Sequence, residues 1–344
     1  MSSSARYLNP SDAAERLGIS PKALRLYEQR GLIAPVRTAA GWRTYGPVEM
    51  ARAGEIAALR ALGLSLAQVA RVLKREAQDL ATALATHQAR LETEARRIAE
   101  TVEKVRNLRA GLAAGEPPRL HELTRLARPA AEIVAAFDLP WPWCGERFEL
   151  RDIRPLNYVI GPLGSGKTRF ARAIAEHLPG AVFVDLDRAA NDAAEARAPM
   201  ETDPALKQRV EQALAWLVEE GAAVTPALIA LLVAIEADAA RIPVVDMIEQ
   251  GLDQPSQEAI SAYLRNRGPG ARPLFIMTRS SAILDLGAIG PDEAIILCPA
   301  NHNPPSRVAP IPGAPGYEAV ATCLAAPDVR ARTEGVIAWR PQVA

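Results

Sequence analysis

The stretch LKREAQDLATALATHQARLETEARRIAETVEKVRNLRAGL (Leu73–Leu112) decides how the rest of the chain is read. Alternating steps of four and three residues along it meet Leu73, Ala77, Leu80, Leu84, His87, Leu91, Glu94, Ile98, Thr101, Val105, Leu108 and Leu112, nine of the twelve apolar. A sustained heptad spacing keeps one seam facing a partner helix, as a two-stranded coiled coil requires. No proline interrupts the run, and its first glycine is Gly111. One column, Ala77, Leu84, Leu91, Ile98, Val105 and Leu112, is wholly apolar. The other is polar in its middle at His87, Glu94 and Thr101, where polar members can fix register and orientation. A single amphipathic helix packed on its own domain is the competing reading; the Arg- and Glu-rich flanks favour a seam between solvated faces.

Outward from this stretch, 344 residues leave room for two or three domains, and 49% hydrophobic with 23% charged residues excludes disorder as the default. Net charge is zero, yet residues 1–75 hold 12 Lys+Arg against 5 Asp+Glu, while the remainder holds 28 against 35. A basic head on an acidic body suggests a polyanion partner for the head alone. Cys144, Cys298 and Cys323 are too few and too scattered for a disulfide framework, and none has metal-ligand spacing, which fits a reducing cytoplasm. The first residues carry no charged-then-apolar signal pattern, and the most apolar run, Ala227 to Ile235, is too short to span a bilayer. The expectation is a cytoplasmic protein without a membrane partner.

In the head, Ser11 precedes DAAERLG, with Gly18 as a stop, and Ser20 caps PKALRLYEQRG, where Pro21 takes the first helical position and Gly31 ends the helix. Two short helices around a tight turn form a helix-turn-helix whose second helix offers Lys22, Arg25 and Tyr27 to a groove or to phosphates. Next, LIAPVRTAAGWRTYG reads as a hairpin around Ala39 to Gly41, a wing carrying Arg37, Arg43 and Tyr45.

The pieces SDAAERLGIS, LRLYEQRGLI, Pro35, Arg37, GWRTY and EIAALRALGLSLAQVARVL together resemble the MerR family of bacterial transcription regulators, from residue 7 to about 112. Leu26 departs from the aromatic residue usual in that family before Tyr27. The resemblance implies a homodimer held by the antiparallel 73–112 helix, with Lys22, Arg25 and Tyr27 as helix contacts and Arg37, Arg43 and Tyr45 as wing contacts to double-stranded promoter DNA. It also implies action with RNA polymerase at promoters whose spacers are over-long, by deforming the operator. An isolated arginine would otherwise be read as a solvated side chain.

Gly115, Pro117 and Pro118 break the coiled coil and place a linker at 113–139, in which His121 to Phe137 reads as a helix interrupted at Pro129. Trp141 and Trp143, flanked by prolines, read as packing at the edge of the next domain. Metal-sensing relatives within the family carry cysteines near the end of the antenna helix. None lies there in this chain, so metal sensing is not expected.

The apolar strand Leu156 to Ile160 runs into GPLGSGKT (Gly161–Thr168) and then a helix with Phe170, Ile174 and Leu178 on one side. That is the strand, loop and helix order of a phosphate-binding loop. Gly161, Gly164 and Gly166 with Ser165 let backbone N–H groups turn toward an anion, Lys167 reaches terminal phosphates, and Thr168 ligates Mg²⁺. A second strand follows in PGAVFVDLDR, then helices near 205–220 and 226–239, then the strand Ile242 to Val245, which delivers Asp246 to the Mg²⁺ shell. A helix in PSQEAISAYLRNRG, strands in PLFIM and DEAIILC, a proline-rich surface loop and a closing helical piece in YEAVATCLAAPDVRAR complete an alternation that indicates a mostly parallel sheet covered by helices. His302 and Cys323 are given no chemical role.

RDIRPLNYVIGPLGSGKT, VVDMIEQGLDQPSQEAI and FIMTRSSAILD resemble ABC-type ATPases, particularly those related to chromosome maintenance and recombination. By that resemblance Met247 stands where a catalytic Glu belongs, Arg279 where a switch His belongs, and Thr225 and Pro226 where the signature Ser and Gly belong, while Asp253 matches. ATP binding with weak hydrolysis is the favoured consequence. A non-standard site built on Glu249 and Arg279 is the alternative.

The reading is a multidomain chain: a winged helix-turn-helix head (1–75), a coiled coil (76–112), a linker (113–139) and an α/β P-loop NTPase domain (140–344). As a function it is a DNA-binding transcription regulator with ATP and Mg²⁺ as a sensing or switching input. An active ATPase or phosphotransferase localised to DNA by the head, and an architectural scaffold with a vestigial nucleotide site, stay open.

Overall fold

The computed structural model describes residues 7–74, 76, 78–113, 133–237, 241–268 and 270–325. It divides into two compact units, Met1–Ala99 and Glu100–Ala344.

The first unit is built of α1 (Pro10–Leu17), α2 (Pro21–Gln29), a two-stranded hairpin of β1 (Val36–Arg37) and β2 (Arg43–Thr44), α3 (Pro47–Ala61), α4 (Leu66–Leu73) and the start of α5 (Gln78–Ala113). Asn9, rather than Ser11, caps α1: its Oδ1 accepts the Asp12 N–H at 2.9 Å, and Pro10 at the first position has no N–H to leave unpaired. Gly18 closes α1 at φ 66°, and the Ser20 hydroxyl caps α2 by accepting the Ala23 N–H at 3.1 Å. Leu24, Tyr27, Ile33, Tyr45, Ala53, Ile56, Leu64 and Val69 form the core of this unit. Ser65 and Gln68 start α4 with a reciprocal capping box.

The helix expected to run unbroken from Leu73 is interrupted. The α4 helix ends at Leu73, Lys74 leaves helical geometry at ψ 7°, and α5 begins only at Gln78. Leu73 belongs to the head because its side chain packs against that unit's core. Ala77 and residues 114–132 lie outside the described residues. Along α5 the wholly apolar column is exposed, at 48% for Leu84, 54% for Leu91, 55% for Ile98, 38% for Val105 and 54% for Leu112.

In the second unit, β3 (Ile133–Asp138) pairs antiparallel with β4 (Arg147–Arg151). The end of the helix expected over 121–137 is therefore a strand, and its earlier part lies outside the described residues. The β-branched pair Ile133 and Val134 suits a strand, and Phe137 is buried against Phe170.

The elements that follow are β5 (Leu156–Ile160), α6 (Lys167–His177), β6 (Ala181–Val184), a 3₁₀ turn (Leu186–Ala193), α7 (Ala194–Thr202), α8 (Pro204–Glu220), α9 (Pro226–Glu236) and β7 (Ile242–Val245). They continue with α10 (Gln254–Asn266), β8 (Leu274–Met277), β9 (Glu293–Leu297), β10 (Ser306–Val308) and α11 (Tyr317–Cys323). One six-stranded sheet has the order β10-β9-β5-β8-β7-β6, parallel except for β10. Strand β10 falls in the stretch expected to be surface loop.

Successive residues of these strands face opposite layers. Tyr158, Val245, Ile276 and Ile295 pack with α8, α9 and α10, whereas Val159, Val244, Phe275 and Ile296 pack with α6 and the β3–β4 hairpin. Near-continuous apolar strands are what a sheet covered on both faces needs. All five parallel strands end at the same edge, where a ligand crevice of an open α/β sheet belongs.

Candidate functional site

At that edge the glycine loop Gly161–Gly166 leaves β5 and enters α6. Gly164 and Gly166 hold φ of 80° and 89°, which L side chains rarely adopt. A Cβ at Gly161 would press into the Cys298 carbonyl and the Ser165 hydroxyl, and one at Gly166 would meet Trp143 at 2.7 Å. The α6 N-terminus has no side-chain cap, which leaves its N–H groups and its positive end facing the loop. Ser165 is buried, and its hydroxyl has no partner among the described residues.

The Lys167 ammonium turns back on the loop and donates to the carbonyls of Gly161 and Pro162, both at 2.7 Å. Burial lowers its pKa, and the nearby Arg279 charge lowers it further. Thr168 Oγ1 donates to Asp246 Oδ2 at 3.1 Å, so the end of β7 and the start of α6 meet as expected. Burial raises the Asp246 pKa, the Thr168 hydrogen bond opposes that, and Asp185 at the end of β6 adds a like charge. Hydroxyl and carboxylate oxygens are the donors Mg²⁺ prefers.

Met247, next to Asp246, sits at φ 40°. The Arg188 guanidinium fixes it there, donating to the carbonyls of Asp246 and Met247 at 2.8 Å each and of Asp185 at 3.1 Å. Glu249 is buried, and its Oε1 accepts the Arg279 backbone N–H at 2.9 Å. Thr225 caps α9 through the Leu228 N–H, and Asp253 caps α10 through the Ser256 N–H.

The two tryptophans part company. Trp143 is buried, donates Nε1–H to the Asn303 carbonyl at 2.9 Å and stands edge-on to Phe170, the packing role expected of it. Trp141 is 69% exposed instead, with the Arg169 guanidinium 4.5 Å from its ring centroid. His302, given no role from sequence, reaches the Gly164 carbonyl at 3.2 Å. Arg188, Trp141 and His302 were missed in the sequence because none belongs to the loop pattern. The one available signal was the charged run Asp185 to Arg188 directly after a strand.

In the head, Arg25 and Arg37 are exposed and Lys22 is half-buried. Arg43 donates Nε–H to Glu28 at 2.9 Å, which ties the wing to the second helix. Tyr27 and Tyr45 are 4% and 1% exposed, in the core of the unit. They were expected among the DNA contacts; here their rings pack with Leu24, Ile33 and Ile56, which leaves little of either side chain open to a groove. Trp42, 75% exposed at the hairpin, was overlooked.

The sequence profile of the MerR HTH family regulatory proteins matches residues 8–76. A Haemophilus influenzae protein named "Probable heavy metal-dependent transcriptional regulator" is 35% identical over 107 residues, 29% of this chain and 84% of that protein. The HTH-type transcriptional regulator HmrR of Sinorhizobium medicae is 36% identical over 109 residues, 30% of this chain and 72% of its own. Heavy metal-dependent transcription regulator 2 of Rhizobium meliloti is 28% identical over 133 residues, 37% of this chain and 90% of its own. Among the described residues no helix is long and apolar enough to cross a membrane.

Proposed function

The chain belongs to the MerR family of helix-turn-helix regulators, and from that premise we propose that it is a transcription regulator whose second unit binds Mg²⁺–ATP as its switching input. MerR regulators bind DNA and act as dimers. In this reading Lys22, Arg25, Arg37 and Arg43 serve the DNA. The exposed column on α5 forms the homodimer seam, and the site of action is a cytoplasmic promoter with RNA polymerase.

The observation that carries the nucleotide reading is the convergence of Lys167, Thr168 and Asp246 on one glycine loop. The uncapped α6 N-terminus and the orphaned Ser165 hydroxyl support it. Lys167 would hold the terminal phosphates, Thr168 and Asp246 the Mg²⁺, and the exposed face of Trp141 offers a flat surface to a base. Bound Mg²⁺ would supply charge neutralisation between phosphates. Met247 carries no group able to accept a proton from water, so binding without rapid hydrolysis follows. An active ATPase or phosphotransferase and a scaffold with a vestigial site are the competing outcomes.

The relatives' names favour a heavy-metal ion as a second candidate effector. In this chain the 73–112 stretch has no cysteine, which turns the argument toward the nucleotide. The test is a DNA-binding titration of the full-length protein with Mg²⁺–ATP, Mg²⁺–ADP, Cu(I), Cd²⁺ or no addition, for wild type and Lys167→Ala. A shift with ATP that Lys167→Ala loses, while keeping nucleotide-free DNA affinity, is expected. A shift with metal alone refutes the nucleotide switch, and rapid phosphate release restores the enzyme reading.

A further inference from the structure

Resting on the nucleotide reading, we propose that Arg188 is the positioning residue of the Mg²⁺ site: it holds the turn that aims the Asp246 carboxylate at Thr168, and so sets how much Mg²⁺ adds to triphosphate binding. Arg188 comes from the 3₁₀ turn after β6, a segment that belongs neither to the glycine loop nor to β7. Its Nη1 donates to the carbonyls of Asp185 at 3.1 Å and Asp246 at 2.8 Å, and its Nη2 to those of Met247 at 2.8 Å and Ile248 at 3.4 Å. Three consecutive carbonyls at the end of β7 thus converge on one guanidinium. An extended chain alternates the direction of its carbonyls, so this convergence needs a turn, and the turn is at Met247, at φ 40°.

The N–H groups of the same segment are tied to the sheet. Asp246 N–H donates to the Val184 carbonyl on β6 at 2.9 Å, and Ile248 N–H donates to the Met277 carbonyl on β8 at 3.0 Å. Two strands hold the donors and Arg188 holds the acceptors. From that backbone the Asp246 carboxylate leaves to accept the Thr168 hydroxyl at 3.1 Å. A residue with a long side chain is strained at positive φ, and such a conformation persists only where its surroundings over-determine it. Arg188 supplies that constraint from outside the sheet.

An arginine suits this task. Its planar fork spreads donors over several acceptors at once, whereas a lysine offers a point charge. Among the described residues the hydrogen bonds of Arg188 go to carbonyls and none to the Asp246 carboxylate, so the guanidinium steadies the turn without occupying the group that Mg²⁺ needs. Arg188 therefore acts through Asp246, not on the nucleotide. Its effect is confined to the share of binding that depends on Mg²⁺, while Lys167 and the loop N–H groups act on the phosphates directly.

Isothermal titration calorimetry of a non-hydrolysable ATP analogue into the full-length protein, once with Mg²⁺ and once with EDTA, tests this. The ratio of the two affinities is the readout, because a general loss of structure lowers both and leaves the ratio unchanged. Arg188→Met should leave the EDTA affinity unchanged and cut the affinity with Mg²⁺ by roughly 10- to 100-fold, the usual cost of losing a group that orients a metal ligand. Asp246→Asn should lose the same Mg²⁺ gain, and the two changes together should lose no more than Asp246→Asn alone, because both act through one carboxylate. Met247→Gly in the Arg188→Met background should return part of the gain, since glycine adopts the φ of 40° without strain. A thermal melt of each ligand-free variant verifies folding; if Arg188→Met does not fold, Arg188→Lys takes its place, with a smaller loss of the Mg²⁺ gain expected. An intact Mg²⁺ gain in the Arg188 variant, a further loss in the double variant, or a Met247→Gly that returns nothing overturns the positioning role while leaving nucleotide binding standing. If wild type binds the analogue under neither condition, the nucleotide reading fails and this inference falls with it.

Discussion

Leu91 and Ile98 are each more than half exposed on α5, at 54% and 55%, in a helix whose ordinary solvent face is charged. If the homodimer closes over this column, their remaining surface is buried on assembly. Full burial of a Leu or Ile side chain is worth roughly 1.5–3 kcal/mol, so the half still exposed is worth about 1 kcal/mol per side chain. Leu91→Ala with Ile98→Ala truncates four side chains in a symmetric dimer, about 4 kcal/mol, or on the order of a thousandfold in the dimer dissociation constant. Aspartate at either place should cost still more, because it puts an unpaired charge in the seam. Sedimentation equilibrium of the full-length protein across a range of concentrations reads the constant directly. Glu103→Ala is the control, since Glu103 pairs with Arg106 on the exposed surface and such pairs are worth roughly 0–1 kcal/mol. A double alanine variant that dissociates at the wild-type concentration would mean that the column faces something other than a second copy.

The remaining predictions concern the two candidate sites. Arg25→Ala should weaken operator binding by roughly 1–3 kcal/mol if it reads a base, while Tyr45→Phe should leave DNA affinity and its salt dependence unchanged in anisotropy titrations, because the ring is core. Met247→Glu should raise phosphate release by far less than the roughly 10²- to 10⁴-fold of a positioned general base, since Arg188 holds that backbone at a positive φ; a steady-state release assay with a gain in the full range would refute the constraint. Asp246 has its pKa raised by burial, so in the nucleotide-free protein its ionised form disfavours folding: stability is highest below the ordinary carboxylate range, near pH 4, and falls as pH rises through the elevated folded value. Asp246→Asn should flatten that part of the stability–pH curve without lowering the nucleotide-free melting temperature, while abolishing the extra stabilisation that Mg²⁺ adds to ATP.

How much of this was legible depended on how local each signal was. The β7 strand was placed to the residue because Ile242 to Val245 is short, apolar and followed by a charge, and Ser20–Pro21 marked the start of α2 because capping is decided within one turn. The break between Leu73 and Gln78 was not legible: the heptad count continues across it, whereas Leu73 packs on the head core and the Lys74 and Glu76 N–H groups both turn back to the Arg71 carbonyl. Strand β3 was lost because Ala135 and Ala136 are strong helix formers, and pairing with β4 overrides that preference. Tyr27 and Tyr45 looked like surface contacts because a motif gives residue types and spacing but not which side of a small core they face. Arg188 and Trp141 were invisible as site residues for another reason: each comes from a separate segment, Arg188 from the turn after β6 onto the Asp246 and Met247 carbonyls and Trp141 from between β3 and β4 onto Arg169 of α6.

The same separation bears on how a nucleotide could act on DNA. ATP can shift the DNA-binding equilibrium only by its differential affinity for two arrangements of the protein, however tightly it binds to either. Lys167 and Thr168 by themselves favour no arrangement, because both belong to a loop and helix start inside one packed layer. A differential requires a group whose own position depends on which nucleotide is present. With Met247 unable to act as a base, the triphosphate would persist long enough to report its concentration rather than be consumed. Impaired hydrolysis would then be a property of the switch.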